Sequence, residues 1–249
     1  MRVALFADIH ANREAFSACL ADAARRGHDR VVVLGDIVGY GADPAWAVDT
    51  VQTLVAAGAI AVRGNHDAAV AGDGDRMSAD AAQAVAWTRT QLDTQRRVFL
   101  AGLPLTHVEE TVLFVHANGW APSDWGYVRT PVEAERSMRA VAQRITLCGH
   151  THVPALFHMS PLRPAGHFEP VPDKAVPLAA SHRWLGVIGS VGQPRDGAPA
   201  ACYAMLDQSP GSSPSLTIHR VPYAAQDAAR KIRAAGLPAT LADRLLRGR

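Results

Sequence analysis

The chain reads as α/β, a sheet buried on both faces and flanked by helices, and three observations predict this. Short apolar runs rich in β-branched residues recur without alternating polar positions, as strands covered on both sides do. Segments with apolar residues at helical spacing separate the first of these runs. Of 249 residues, 48% are hydrophobic and only 19% charged, enough apolar content to build a core and too much for a disordered chain. No repeat or low-complexity linker divides residues 1–249, so one domain is expected.

Val3–Ala7 is the first apolar run, and Asn12 then stands as a cap before Phe16, Cys19, Leu20 and Ala23 at helical spacing. Val31–Leu34 is the second strand, closed by Gly35, and Pro44 is well placed in the first turn of the helix that follows. Ala59–Val62 is the third, closed by Gly64. Ser78 to about Leu92 has a helical pattern, and a shorter helix ends near Gly102-Leu103-Pro104. Thr111–Val115 and Ile145–Cys148 read as core strands with a helix from Pro131 to Arg144 between them.

Residues 160–184 contain five prolines, which predicts an excursion or extended hairpin rather than core. Trp184–Ile188, Ala201–Leu206 and Ser215–Val221 follow as strands, and a tail over about 223–249 reads as two Ala-rich helices parted at Gly236-Leu237-Pro238.

Charge and cysteine content narrow the setting. With 25 Lys+Arg against 23 Asp+Glu the formal charge is +2, no field to attract nucleic acid or an anionic membrane. Cys19, Cys148 and Cys202 form no CxxC pair, which fits neither a disulfide framework nor a structural zinc site and suits a reducing compartment. The first apolar run stops at Asp8, too short for a signal-peptide core, and the longest, Leu54–Val62, cannot span a bilayer. A cytoplasmic protein is expected.

The chemistry lies where the apolar strands end. The first closes in Asp8-Ile9-His10, the second in Gly35-Asp36, the third in Gly64-Asn65-His66-Asp67, and two later ones in His116 and Gly149-His150-Thr151-His152. In a buried sheet the carboxyl ends of strands are where loops turn polar groups into a common crevice. Asp8, His10, Asp36, Asn65, His116, His150 and His152 are too many ligands for one tetrahedral ion, and their mix of carboxylate, amide and imidazole suits a pair of cations such as Mn, Fe, Co or Zn.

These blocks, in this order, resemble the calcineurin-like metallophosphoesterases. The likeness runs from Asp8 to about Gly197, because Gly189–Gly197 is similar to a segment of the small bacterial and archaeal phosphodiesterase or diadenosine tetraphosphatase-like members; the final helices lie outside it. The resemblance implies a four-layer α/β/β/α sandwich of two mixed sheets flanked by helices. It also implies that Asp8, His10 and His152 bind one ion, Asn65, His116 and His150 the other, and that Asp36 bridges them. A hydroxide held between the ions would attack phosphorus in line, and catalytic His66 would protonate the leaving oxygen or stabilise the transition state. Asp67 would hydrogen-bond a ring nitrogen of His66 and set its tautomer.

Each motif also has an ordinary reading. Asp8-x-His10 and Gly35-Asp36 alone are loop signals, and His116 alone is a core histidine; their order, each after an apolar run, is what points to a site. Trp120 and Trp125 either stack a base or pack their loop, packing being favoured. Arg195 either holds a distal phosphate or pairs with a carboxylate. Asn12, Tyr40 and Asn118, close to motif positions, are candidates to support the ligands or touch substrate. Arg230, Lys231, Arg233, Arg244, Arg247 and Arg249 on the tail read as a solvated face, with a contact between copies of the chain as the second reading.

The function expected is hydrolysis of a phosphodiester or nucleotide phosphate, diadenosine polyphosphates among them. A protein Ser/Thr phosphatase is the enzymatic alternative, and a protein-interaction scaffold on the same fold is the alternative of another class.

Overall fold

The computed structural model describes residues 1–72, 77–209 and 211–249. Among them the chain runs β1 (Arg2–Phe6), α1 (Arg13–Arg26), β2 (Arg30–Val33), α2 (Pro44–Ala56), β3 (Ile60–Ala61), α3 (Asn65–Ala71), α4 (Ala79–Gln91), α5 (Thr94–Gly102), β4 (Thr106–Glu109) and β5 (Val112–Val115). It continues α6 (Pro131–Ala140), β6 (Ile145–Cys148), β7 (Ala155–Ser160), β8 (Arg163–Phe168), β9 (Val176–Pro177), β10 (Arg183–Val187), β11 (Ala201–Asp207), β12 (Ser215–Val221), α7 (Ala225–Ala234) and α8 (Ala239–Arg247).

Two six-stranded mixed sheets result, ordered β3-β2-β1-β11-β12-β9 and β4-β5-β6-β10-β7-β8. Each has a parallel triplet, β1, β2 and β3 in one and β5, β6 and β10 in the other. Because side chains alternate across a strand, β1 sends Val3 and Leu5 to one face and Ala4 and Phe6 to the other. Val3, Leu5, Val32 and Leu34 meet Phe114, Ile145 and Leu147 in the layer between the sheets. Ala4, Phe6 and Val33 pack under Phe16 and Cys19 of α1 and Val48 and Val51 of α2, while Val115, Leu185 and Val187 pack under Ala134 and Met138 of α6. The layers are therefore helix, sheet, sheet, helix, as the family resemblance implied. Each buried Phe or Leu contributes about 1.5–3 kcal/mol, and the three cysteines are buried and unpaired.

Local signals placed most elements. Asn12 caps α1, its side-chain oxygen accepting from Ala15 N, and Pro44 opens α2. Three features were not anticipated. Gly64-Asn65-His66-Asp67, expected only as a strand end, opens a helix, α3. β4, a half-buried edge strand beside β5, lacks the apolar run that marked the others. The helix expected to reach Arg144 ends at Ala140, where Val141 turns to extended backbone.

The proline-rich stretch, residues 160–184, opens with β8, the open edge strand of a hairpin whose partner β7 precedes the stretch and belongs to the core, pairing along β10 with Leu156 and Phe157 buried. Prolines mark the edge because they cannot donate to a neighbour strand. Farther on, β9 crosses to the edge of the other sheet, and Leu178 is fully buried.

Candidate metal centre and its cleft

The parallel triplets end on the same side, and every sequence-singled ligand follows one of their strands. Asp8 and His10 follow β1, Asp36 follows β2, Asn65 follows β3, His116 follows β5, and His150 and His152 follow β6. Ligand atoms of Asp8, His10, Asp36 and His152 lie within 4.8 Å of one another, as do those of Asp36, His116 and His150. Asp36 belongs to both groups, and its Oδ2 is 3.7 Å from His10 Nε2 and 3.4 Å from His116 Nε2. Asn65 joins the second group with Oδ1 3.1 Å from His116 Nε2. All seven except half-exposed Asn65 are buried.

The hydrogen-bond roles of these atoms fit a cation. Nδ1 of His10 donates to Val38 O at 3.1 Å, that of His116 to Leu34 O at 2.7 Å and that of His152 to Gln193 O at 2.6 Å. A carbonyl only accepts, so each Nδ1 carries a proton, and in its neutral form each ring presents a bare Nε2 lone pair inward. His10 Nε2 then faces His152 Nε2 at 3.1 Å, with Asp8 Oδ1 3.4 Å from the latter, and His116 Nε2 faces His150 Nδ1 at 3.1 Å.

Acceptors crowd acceptors, an arrangement that positive charge at the centre relieves. Burial pushes Asp8 up to about 8 and His10 and His152 well below the usual imidazole range, whereas Asp36 overcomes burial to push His116 up to about 9.

The backbone is bent to deliver these side chains. Asp8, His10, Asp36, His150 and His152 all have left-handed φ, between 49° and 64°, as do neighbouring Ala11, Tyr40 and Trp125. Such a conformation costs a non-glycine residue of order 1–3 kcal/mol and clusters where function requires it. Two glycines make room. A Cβ on Gly64 would stand 2.2 Å from Asp36 Oδ1, and one on Gly39, at φ +91°, would stand 2.4 Å from His66 Nδ1. The glycines of those motifs therefore follow from the close passage of the ligand loops.

His66 projects from the first turn of α3 into the cleft beside the cage, its ring 4.9 Å from that of His10 and 4.4 Å from that of Tyr40. Its backbone N–H donates to Asp36 Oδ1 at 2.8 Å, its Nδ1 is buried without a hydrogen-bond partner, and burial lowers its affinity for a proton.

Asp67 does not meet the ring, a correction to the expected pair. Its carboxylate accepts Ile37 N, Val38 N and Gly64 N at 2.9, 3.2 and 3.0 Å, clamping the loop after Asp36 to the start of α3. A side chain at the third helical position points back over the helix N-terminus, which is why it reaches backbone rather than its neighbour's imidazole.

Asn12 and Asn118 likewise bind mainly backbone. Asn12 caps α1 and donates to Gly192 O at 2.8 Å; Asn118 accepts Trp120 N and Ala121 N and donates to Gly126 O. Trp120 packs the same loop, with the Arg136 guanidinium 4.6 Å from its ring centroid. Tyr40 and Arg195 do line the cleft, a space of about 220 Å³ over the cage. Arg195 Nη2 reaches Gln193 Oε1 at 3.1 Å and Tyr40 Oη at 3.4 Å, and pairs with no carboxylate among the described residues. Asp196 pairs instead with Arg220.

Sequence reasoning did not place Tyr127 or Arg244 in this cleft. Tyr127 stacks on His150 with centroids 4.2 Å apart, and Arg244 of α8 also lines the space. The tail cations are therefore not one solvated face: Arg244 is half-buried at the cleft, and Lys231 is held by Glu14 and Asp43 at 2.6 and 2.8 Å. Buried Leu241 and Leu245 were the available signal, since a residue between them in sequence sits beside the packed stripe.

No helix among the described residues is long and apolar enough to cross a membrane. Comparison with known proteins agrees with the geometry. The chain is 33% identical to an uncharacterised protein of Methanocaldococcus jannaschii over 99% of its own length and 98% of the relative's. It superposes on a metallophosphoesterase of Sphaerobacter thermophilus with TM-score 0.86 and 34% identity, covering 100% of this chain and 99% of that one. A hypothetical protein of Pyrococcus horikoshii shares the fold, with TM-score 0.79 and 19% identity over 100% and 98% of the two chains. Residues 1–210 match the calcineurin-like phosphoesterase superfamily domain, a metal-dependent family, and the chain belongs to that family.

Proposed function

We propose that this chain is a dinuclear-metal phosphoesterase that hydrolyses a phosphodiester or nucleotide phosphate. The observation that carries the reading is the single Asp36 oxygen facing both His10 and His116, because two cations about 3.5–4 Å apart need a shared anionic oxygen to offset their repulsion. Asp8, His10 and His152 would hold one ion, Asn65, His116 and His150 the other, and Asp36 would serve both. When bound, the ions supply Lewis acidity toward the phosphoryl oxygens and a water that ionises near neutral pH; Mn, Fe, Zn and Co all suit these ligands.

The remaining groups bind and steer. The carbonyls of Val38, Leu34 and Gln193 hold the three imidazoles with Nε2 inward, so the cage is oriented before any ion enters. His66 stands in the cleft as the acid for the leaving oxygen, delivering a proton that only a protonated imidazole holds. Asp67 fixes its helix rather than its tautomer. Arg195, braced by Gln193 and Tyr40, offers its guanidinium to a phosphate oxygen. Residues 1–249 are read as one domain, and three buried unpaired thiols suit a reducing cytoplasm.

The test is hydrolysis by purified protein, stripped with a chelator and reloaded in turn with Mn²⁺, Fe²⁺, Zn²⁺ or Co²⁺, of bis(p-nitrophenyl) phosphate, p-nitrophenyl phosphate, a phosphoserine peptide and diadenosine tetraphosphate. Chelator-sensitive turnover of the diester or the dinucleotide is expected. Preference for the peptide would replace the substrate class with that of a protein phosphatase. Inertness with every one of the four metals would leave the scaffold reading.

A further inference from the structure

The cleft carries more positive charge than the scissile group requires. Two divalent ions, held by the carboxylates of Asp8 and Asp36, would already match the charge of a single phosphoryl group. Arg195 and Arg244 add two guanidiniums, and Asp36 is the sole carboxylate lining the cleft among the described residues.

Neither arginine is spoken for. Nε of Arg195 is buried without a partner, and the remaining contacts of its guanidinium are neutral oxygens. Arg244 has no ion-pair partner among the described residues, unlike the other half-buried tail cation, Lys231, which is bound to Glu14 and Asp43. Burying part of a guanidinium without an anion is costly, and a ligand's anionic group in the cleft removes that cost.

The position of Arg244 is built, not incidental. Leu241, Ala242 and Leu245 of α8 pack with Ile232 of α7, with Ala81 and Ala84 of α4 and with Tyr40 itself. Thr240 Oγ1 donates to Asp80 at 2.6 Å, and Gly197 N donates to Gly248 O at 2.7 Å, tying α8 to the loop that carries Arg195. Arg195 touches Gln193, whose carbonyl holds the His152 ring, whereas Arg244 comes from α8, an element that carries none of the candidate ligands.

The geometry points to a second anion subsite formed by Arg195 and Arg244, so that the substrate is a nucleotide bearing a phosphate beyond the one attacked. This rests on the phosphoesterase reading of the cage and specifies which esters it takes.

The probes are AMP and ADP, measured with Mn²⁺-loaded protein by equilibrium dialysis and, separately, as competitors of bis(p-nitrophenyl) phosphate hydrolysis. Wild type should bind ADP at least about tenfold more tightly than AMP, the value of one good charge-assisted contact. Arg244→Ala should remove most of that ratio by weakening ADP alone, Arg244→Lys should restore part of it, and Arg247→Ala on the exposed face of the same helix should leave it intact. Equal binding of AMP and ADP by wild type, or a ratio that survives Arg244→Ala in a protein of unchanged melting temperature, overturns the subsite. Either result in a protein that still hydrolyses the diester leaves the cage reading standing; loss of hydrolysis with every metal sinks that reading instead.

Discussion

The floor of the cleft and its C-terminal wall are made by different physics. The floor is a set of short loops at the ends of parallel strands, bent into left-handed backbone at five candidate ligands and fixed by carbonyl-to-imidazole hydrogen bonds. The wall is α7 and α8, held by Ile232, Leu241 and Leu245 against α4 and Tyr40, and it contributes one guanidinium. The floor spends conformational strain to place electron pairs, while the wall uses apolar burial to place a charge. Chemistry should therefore fail abruptly when the floor changes, and stability and affinity should fade gradually when the wall does.

Asp36→Asn is the strongest challenge to the floor. Replacing the oxygen that faces both His10 and His116 with a neutral amide should remove most bound metal and take hydrolysis down by about 10³-fold or more. Elemental analysis beside the assay reads both losses, and a variant with full metal and activity would remove the bridging role.

Second in size is His66→Ala. The ligand atoms are untouched, so metal content should hold while kcat falls by about 10²–10⁴-fold. Metal loss in parallel with kcat would make His66 part of the cage.

On the wall, Leu241→Ala leaves a cavity between α8 and α4 and should cost about 2–5 kcal/mol. It should lower the melting temperature and raise KM before it touches kcat, since the cage rests on the other elements. A fall in kcat with KM unchanged would erase the distinction between floor and wall.

The smallest effect belongs to Lys231→Met. Lys231 joins α7 to Glu14 and Asp43, yet its side chain is 37% exposed, so the loss should be under about 1 kcal/mol in urea unfolding. A larger loss would make the ion pairs, rather than the leucines, what holds the wall.

Legibility followed the same division. Strands were readable from Val31–Leu34 or Ile145–Cys148 because full burial on two faces leaves an unbroken apolar run, and Asn12 and Pro44 marked helix starts by local hydrogen bonding and fixed φ. β4 was not readable, since Thr106–Glu109 is half-exposed and carries no such run. Asp67 was readable as a site-adjacent carboxylate and misread as a partner of His66, because spacing along a chain does not say which way a side chain turns at a helix start. Arg244 was indistinguishable from its neighbours Arg247 and Arg249, because charge on a helix shows its role only once the surface beneath the helix is known.

From the sequence alone came the α/β character, the order of its ligand-bearing strand ends and the chemical type of the donors, all of which are local properties of pattern and composition. Tertiary structure decided that one Asp36 oxygen serves two imidazoles, that three carbonyls lock the ring tautomers, that Asp67, Asn12 and Asn118 serve backbone, and that the final helix enters the cleft. Those outcomes depend on distances between segments remote in the chain, such as Arg195 of one loop and Tyr40 of another, 155 residues apart. Contacts of that kind arise from the packing of two sheets and their helices, which no window of the chain contains.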